Sequence, residues 1–122
     1  MTAATSRTWT AVCRLEDLVP ERGAAALVEG EQVALFRLLD DRVLAVQQLD
    51  PFSGAYVLAR GIVGSRGTAA TVASPMYKQV FDLATGTCLD AVGRTPVDGH
   101  GADLRTWPVS VVDGTVLVGG PS

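Results

Sequence analysis

The sequence predicts a single all-β domain built from antiparallel strands. Its apolar residues fall in many short runs, and residues that favour turns, among them 13 glycines and 6 prolines in 122 residues, separate these runs. Several runs alternate between apolar and polar positions, and no helix of useful length fits. Short strands at regular spacing, with turn residues between them, are typical of a small β-barrel or sandwich.

The first part of the chain predicts strands in quick succession. Glu29-Gly30-Glu31 and Asp40-Asp41 are short polar turns that reverse apolar runs, which indicates hairpins. The predicted elements are strands 9–13, 24–28, 32–39 and 38–46, with a single turn at 15–18. Alternating positions should line one core: Val33, Leu35, Val43 and Ala45.

The second part of the chain continues the same pattern. Ala84-Thr85-Gly86 is predicted to be a tight turn in which Gly86 adopts the positive φ that the turn needs. Asp113-Gly114 is the strongest short-range turn signal in the chain. Residues 91–103 are rich in Gly and poor in apolar residues, so we expect a mobile surface loop there. The predicted strands are 56–58, 62–63, 70–73, 80–83, 87–89, 104–112 and 115–118.

The composition limits the cellular locations and the binding partners that this protein can have. We expect one domain at 9–119, preceded by a flexible tail at 1–8 that lacks the features of a secretory signal. No apolar stretch is long enough to span a membrane, so a soluble protein is expected, and the lack of signal features in residues 1–8 favours the cytoplasm. The net charge of −3, without a cluster of Lys and Arg, argues against binding to nucleic acid or to an anionic membrane.

The two cysteines do not form a metal-binding motif. Cys13 and Cys88 lie far apart in the sequence, each among apolar residues. The preferred interpretation is a pair of reduced thiols that pack as small apolar side chains, and a redox or disulfide role is the alternative.

Two segments of the chain have the shape of a pair of ligand loops. Asp50-Pro51-Phe52-Ser53-Gly54-Ala55 is one, and the segment that begins Ser74-Pro75-Met76-Tyr77-Lys78 is the other. They resemble the loops of a Rieske iron–sulfur site, which carry Cys-x-His and Cys-x-x-His. Asp50, Phe52, Ser74 and Tyr77 stand at the four ligand positions. This set cannot hold the cluster, because Phe has no donor atom and neutral hydroxyls are poor substitutes for thiolate or imidazole.

Longer motifs around these positions are similar to one family. The chain contains Asp-Pro-Phe-Ser-Gly-Ala and Ser-Pro-x-Tyr-Lys-Gln-x-Phe-Asp-Leu-x-Thr-Gly-x-Cys-Leu-Asp, the latter from Ser74 to Asp90. Both strings resemble the small subunit of assimilatory NAD(P)H-dependent nitrite reductase, and the similarity covers Trp9 to Val118. The resemblance implies a Rieske-like β fold without a cluster, with the loop subdomain at about residues 49–90 inserted into the barrel or sandwich.

The resemblance also implies a function. This chain would be an accessory subunit, without a catalytic centre or cofactor of its own, that binds and supports a large subunit. That partner would carry flavin, an iron–sulfur cluster and sirohaem and would reduce nitrite to ammonium, with NADH or NADPH left open. The alternative is a stand-alone interaction or regulatory module on a degenerate Rieske fold. A true Rieske ferredoxin or oxygenase component is opposed by the missing ligands.

The ligand-loop residues have two interpretations. Phe52, Met76 and Tyr77 could form an exposed surface that docks the partner, flanked by Lys78, since a few large apolar anchors often supply most of the affinity. Alternatively, Phe52 and Tyr77 turn inward and fill the volume of the absent cluster. Asp50 and Ser74 are expected to hydrogen-bond the backbone of their own loops rather than to bind a cation.

Two other features of the sequence are weaker evidence for a functional site. His100 lies between two glycines near Asp98 and Asp103, but no orienting partner can be assigned from the spacing, so we expect a solvated loop residue. The glycines of 61–67 are not followed by a helix pattern and are expected to form a turn rather than a phosphate-binding loop.

Overall fold

A computed structural model describes residues 8–119 of the chain. The predicted tail at 1–8 lies, apart from Thr8, outside the described residues. The strands are β1 (Trp9–Arg14), β2 (Gly23–Val28), β3 (Glu31–Arg37), β4 (Val43–Gln47), β5 (Ile62–Arg66), β6 (Ala69–Ala73), β7 (Val80–Asp82), β8 (Cys88–Asp90), β9 (Thr106–Trp107), β10 (Val109–Val112) and β11 (Thr115–Gly119). Single turns of 3-10 helix lie at Leu15–Asp17 and Leu58–Arg60. Over this range, no helix is both long and apolar enough to cross a membrane.

The strands form three antiparallel sheets, so the predicted all-β class is confirmed. The sheet orders are β1-β11-β10, β2-β3-β4-β9 and β5-β6-β7-β8. Along β3, Val33 and Leu35 belong to one buried cluster, whereas Ala34 and Phe36 belong to the other. The sheet containing β3 therefore has an apolar core on each face, one shared with β11 and one shared with β6 and β7.

The predicted core positions are confirmed as a set. Val33, Leu35, Val43 and Ala45 all belong to the cluster that includes Val116 and Val118 of β11. They share a face because successive side chains of a strand point to opposite sides of the sheet.

Two hairpins contain the predicted turn chemistry. Glu29 and Gly30, between β2 and β3, have φ of 49° and 83°. Asp113 and Gly114, between β10 and β11, have φ of 50° and 79°. Positive φ at both central residues is the conformation whose twist matches the flanking strands, which explains the tight antiparallel register at both places.

Two strand predictions were wrong in detail. Residues 56–58 do not form a strand, because Tyr56 makes only an isolated bridge to Leu49 and Leu58 begins a 3-10 turn. The predicted strand 104–112 is two strands on different sheets, since β9 pairs with β4 and β10 pairs with β11. Pro108 lies between them, and its missing N–H cannot continue a ladder.

Candidate functional site

The two ligand-like segments are closed loops of similar construction. In the first tip loop (residues 50–55), the Gly54 N–H donates to the Asp50 carbonyl at 2.8 Å. In the second tip loop (residues 74–79), the Lys78 N–H donates to the Ser74 carbonyl at 3.1 Å. Further backbone bonds join Asp50 to Ala55 and Ser74 to Gln79. Each loop is therefore fixed at its base before any side chain contributes.

A buried bridge between Asp50 and Ser74 joins the two tip loops. The Ser74 hydroxyl donates to Asp50 Oδ2 at 2.7 Å, and both residues have no exposed surface. Asp50 also accepts from the Phe52 N–H at 2.9 Å and from the Ser53 hydroxyl at 3.0 Å. Ser74 Oγ in turn accepts from the Met76 N–H at 3.2 Å. The expected bonds to their own loops are confirmed, and the bond between the loops is an addition that sequence spacing does not predict.

Phe52 lies in the protein core rather than at the surface. Its side chain is 5% exposed and packs in one of the two buried clusters, with its ring centroid 6.1 Å from that of Phe81. Of the two interpretations, the inward one therefore describes Phe52. In this structure its ring is not available to a partner, so changes at Phe52 act on the stability of the domain.

We expect Phe52→Leu to lower the free energy of unfolding by about 1–1.5 kcal/mol, because an apolar side chain of different shape leaves part of the site unfilled. Urea-induced unfolding measures this difference. Tyr56→Leu is the control, since Tyr56 is 56% exposed and replacing this aromatic ring with Leu should stay within about 0.5 kcal/mol of wild type. Equal effects of the two substitutions would contradict the packing described for Phe52.

The remaining candidate surface residues are exposed. Met76 is 45% and Tyr77 is 37% exposed, and Lys78 is also exposed. The Arg94 guanidinium lies 3.9 Å from the centre of the Tyr77 ring, within the range of a cation–π contact. Arg94 comes from the loop between β8 and β9. No motif in the sequence places it near the second tip loop, because the contact depends on the path of a long irregular segment.

The loop that carries Arg94 also contacts the first tip loop. The Val97 N–H donates to the Pro51 carbonyl at 2.9 Å. Near the start of this segment, Gln79 Nε2 is 3.5 Å from the Ala91 carbonyl, which is a long and weak contact. Gln79 is fully buried, and its Oε1 has no hydrogen-bond partner among residues 8–119. The surface-loop prediction for 91–103 is confirmed in position, and its mobility stays a prediction.

The residues at the tip do not fit a [2Fe–2S] cluster. Such a centre needs two thiolates and two imidazoles, whereas the Phe52 ring is in the core and the Asp50 and Ser74 side chains hydrogen-bond each other. Cys13 lies in β1 and Cys88 in β8, both as free thiols, and burial raises the pKa of each thiol. Within the described part of the chain, no group of three or more His, Cys, Asp or Glu side chains could hold a metal ion.

His100 does not form a catalytic pair with its acidic neighbours. The Asp103 carboxylate accepts from the Cys88 N–H at 2.8 Å, so it is engaged in holding β8. His100 instead lines an open surface groove of about 440 Å³ together with Tyr56 and Trp107. In that groove Arg105 pairs with Glu31 at 2.9 Å and stacks on Trp107 at 4.6 Å. Among the described residues that line this groove, no nucleophile is hydrogen-bonded to an oriented base.

Fold and tip together define a class of protein, a Rieske-type β domain without the ligands of the cluster. The Rieske-like [2Fe-2S] domain family matches residues 8–119. A crystal structure from Mycobacterium tuberculosis, assigned as an NADH-dependent nitrite reductase small subunit, superimposes with a TM-score of 0.83 at 43% identity. That comparison covers 96% of this chain and 98% of the other.

Curated relatives narrow the class to one family. The nitrite reductase (NADH) small subunit of Salmonella typhimurium is 42% identical over 83 residues, which is 67% of this chain and 77% of that protein. The nitrite reductase [NAD(P)H] large subunit of Klebsiella oxytoca is 39% identical over 117 residues, which is 96% of this chain but only 11% of that protein. The chain belongs to the family of nitrite reductase small subunits.

Proposed function

We propose that this chain is the accessory small subunit of an NAD(P)H-dependent nitrite reductase, and that it binds and supports a large catalytic subunit that reduces nitrite to ammonium. The observation that carries the proposal is the Asp50–Ser74 bridge, between two residues that the family resemblance aligns with ligand positions of a Rieske cluster. Hydrogen bonding by Asp50 and Ser74 and core packing by Phe52 support a role without an electron-transfer centre at the tip. Its contribution is then structural, through contact with a partner.

The Klebsiella oxytoca relative supports association with a large subunit. In that protein, a segment that matches 96% of this chain is part of the polypeptide named as the large subunit. Two domains on one polypeptide meet at a high effective concentration, so weak contacts suffice to keep them together. Where the domain is a separate chain, the same association requires a surface with affinity of its own.

In the proposed complex the redox chemistry belongs to the partner. By family resemblance the large subunit carries flavin, an iron–sulfur cluster and sirohaem, and this chain carries none of them. The proposed location of the complex is the cytoplasm. The exposed residues Met76, Tyr77 and Lys78 are the proposed contact surface, whereas Phe52 packs in the core and is not part of it.

We expect the purified chain to bind a separately purified large subunit and to raise the stability or the NAD(P)H-dependent nitrite consumption of that subunit. If this chain binds the folded large subunit but not its unfolded form, it stabilises that subunit. The stabilisation is about 2.7 kcal/mol when the free chain is present at one hundred times the dissociation constant. Titration calorimetry measures the affinity and stoichiometry, and nitrite consumption is assayed with and without the chain.

Iron analysis of the isolated chain is the accompanying control. Stoichiometric iron in the isolated chain would contradict the assignment of redox chemistry to the partner. Absence of binding, together with capture of an unrelated protein from the native extract, would favour the stand-alone interaction module instead.

A further inference from the structure

The ion pairs of the chain leave two cations at the tip without a carboxylate partner. Although the net charge is −3, most of the described arginines are paired with nearby acids. These pairs are Arg14–Glu16, Arg37–Asp41, Arg42–Asp40, Arg66–Asp90 and Arg105–Glu31. Lys78 and Arg94 have no carboxylate oxygen within 4.0 Å among residues 8–119. The tip thus carries two exposed cations outside the ion pairs of an acidic protein.

Both cations belong to segments that the structure holds in place. The backbone of Lys78 is fixed by its bond to the Ser74 carbonyl, and its φ is +70°. Arg94 is stacked on Tyr77, whose own position in the second tip loop is set by that loop closure. A planar guanidinium that is already ordered against a ring loses less conformational freedom when it forms further hydrogen bonds.

Exposed apolar surface lies beside these charges. Met76 and Tyr77 precede Lys78 directly and are 45% and 37% exposed. Aromatic residues, Met and Arg are enriched in protein interfaces, where apolar anchors supply affinity and charges steer the encounter. The four residues Met76, Tyr77, Lys78 and Arg94, here named the tip patch, combine both properties.

We propose that the tip patch docks onto an acidic surface of the large subunit, with Arg94 and Lys78 pairing with carboxylates of that partner. This inference rests on the proposed function and adds to it the chemistry of the partner's surface and a residue, Arg94, outside the predicted contact set. Arg22 and Arg60, which line a shared surface groove, are also absent from the ion pairs above, so unpaired charge by itself does not select the tip. The tip patch differs because Arg94 is already ordered on the Tyr77 ring and lies beside exposed Met76.

The test compares the affinity of charge variants for the purified large subunit at low and high salt. We expect Lys78→Glu/Arg94→Glu to raise the dissociation constant by at least about tenfold at low salt, since it places like charges against the partner. The wild-type affinity should fall as salt is added, and this dependence should be flatter for the double variant because fewer opposite charges remain to be screened. The single variant Arg94→Lys keeps the positive charge and should retain most of the wild-type affinity.

Arg22→Glu/Arg60→Glu is the matched control. Both arginines are exposed and absent from the ion pairs above, so the same total charge change away from the tip patch should leave the affinity near that of wild type. Thermal unfolding of each variant shows whether the fold is intact. If the tip double variant unfolds, the neutral variants Lys78→Gln and Arg94→Gln replace it in the same assay.

The outcomes separate this inference from the function on which it rests. If the wild-type chain fails to bind the large subunit at any salt concentration, the proposed function is wrong. If the wild-type chain binds and the folded tip variants bind equally well, the accessory role stands and the tip patch is not the docking surface. An equal loss of affinity in Arg22→Glu/Arg60→Glu would also overturn the tip patch, because the effect would then not depend on where the charge is changed.

Discussion

Asp50→Ala is expected to lower the free energy of unfolding by about 3–5 kcal/mol, because it removes the acceptor for three hydrogen bonds at a buried position. The Ser74 hydroxyl and the Phe52 N–H would lose their partner in a site without exposed surface at Asp50 or Ser74. Each buried donor left unsatisfied costs about 1–3 kcal/mol. A loss of this size is a large share of the about 5–15 kcal/mol that stabilises a typical domain.

Urea-induced unfolding measures the effect, and two further substitutions identify its cause. Asp50→Asn keeps one carbonyl acceptor and should cost less than Asp50→Ala. Asp98→Ala removes an exposed carboxylate of the surface loop and should remain within about 0.5 kcal/mol of wild type. A loss for Asp50→Ala no greater than that for Asp98→Ala would show that the bridge does not hold the tip loops together.

Much of the fold could be predicted from local sequence signals. The period-2 pattern of 33–36 placed Val33 and Leu35 on one face, and Asp113-Gly114 predicted the last hairpin, since both signals arise from neighbouring residues. The failure at 104–112 had a different origin. An apolar run interrupted by Pro108 can continue in one sheet or pass to another, and only the long-range pairing of β9 with β4 decides between them.

The candidate site could be predicted only in part. The motifs placed Asp50 and Ser74 at ligand positions, and short polar side chains at turns predicted their bonds to the local backbone. The direction of the Phe52 side chain could not be predicted, because an apolar residue in a loop can either pack inward or form a surface anchor. The stack of Arg94 on Tyr77 depends on an irregular loop whose path has no sequence period.

Gly86→Ala is expected to lower the free energy of unfolding by about 3–5 kcal/mol, because two independent costs add at this position. Gly86 has φ of +80°, a conformation that costs an L-residue about 1–3 kcal/mol, and a β-carbon there would collide with the backbone carbonyl of Leu104. The same glycine donates its N–H to the Asp82 carbonyl and accepts from the Leu104 N–H, each at 2.7 Å. Relief of the collision would therefore break a hydrogen bond.

Gly93→Ala separates the two costs. Gly93 has a similar φ of +70°, but no atom lies within 4 Å of the position that its β-carbon would occupy. We expect Gly93→Ala to show the conformational cost alone, about 1–2 kcal/mol, when both variants are compared in urea. The turn sequence Ala84-Thr85-Gly86 predicted the positive φ of Gly86, whereas the approach of Leu104 is a long-range contact between the β7–β8 hairpin and the segment that leads into β9. Equal losses in the two variants would mean that the nearby Leu104 carbonyl does not constrain residue 86. A larger loss for Gly86→Ala measures the cost of separating the β7–β8 hairpin from the segment that leads into β9.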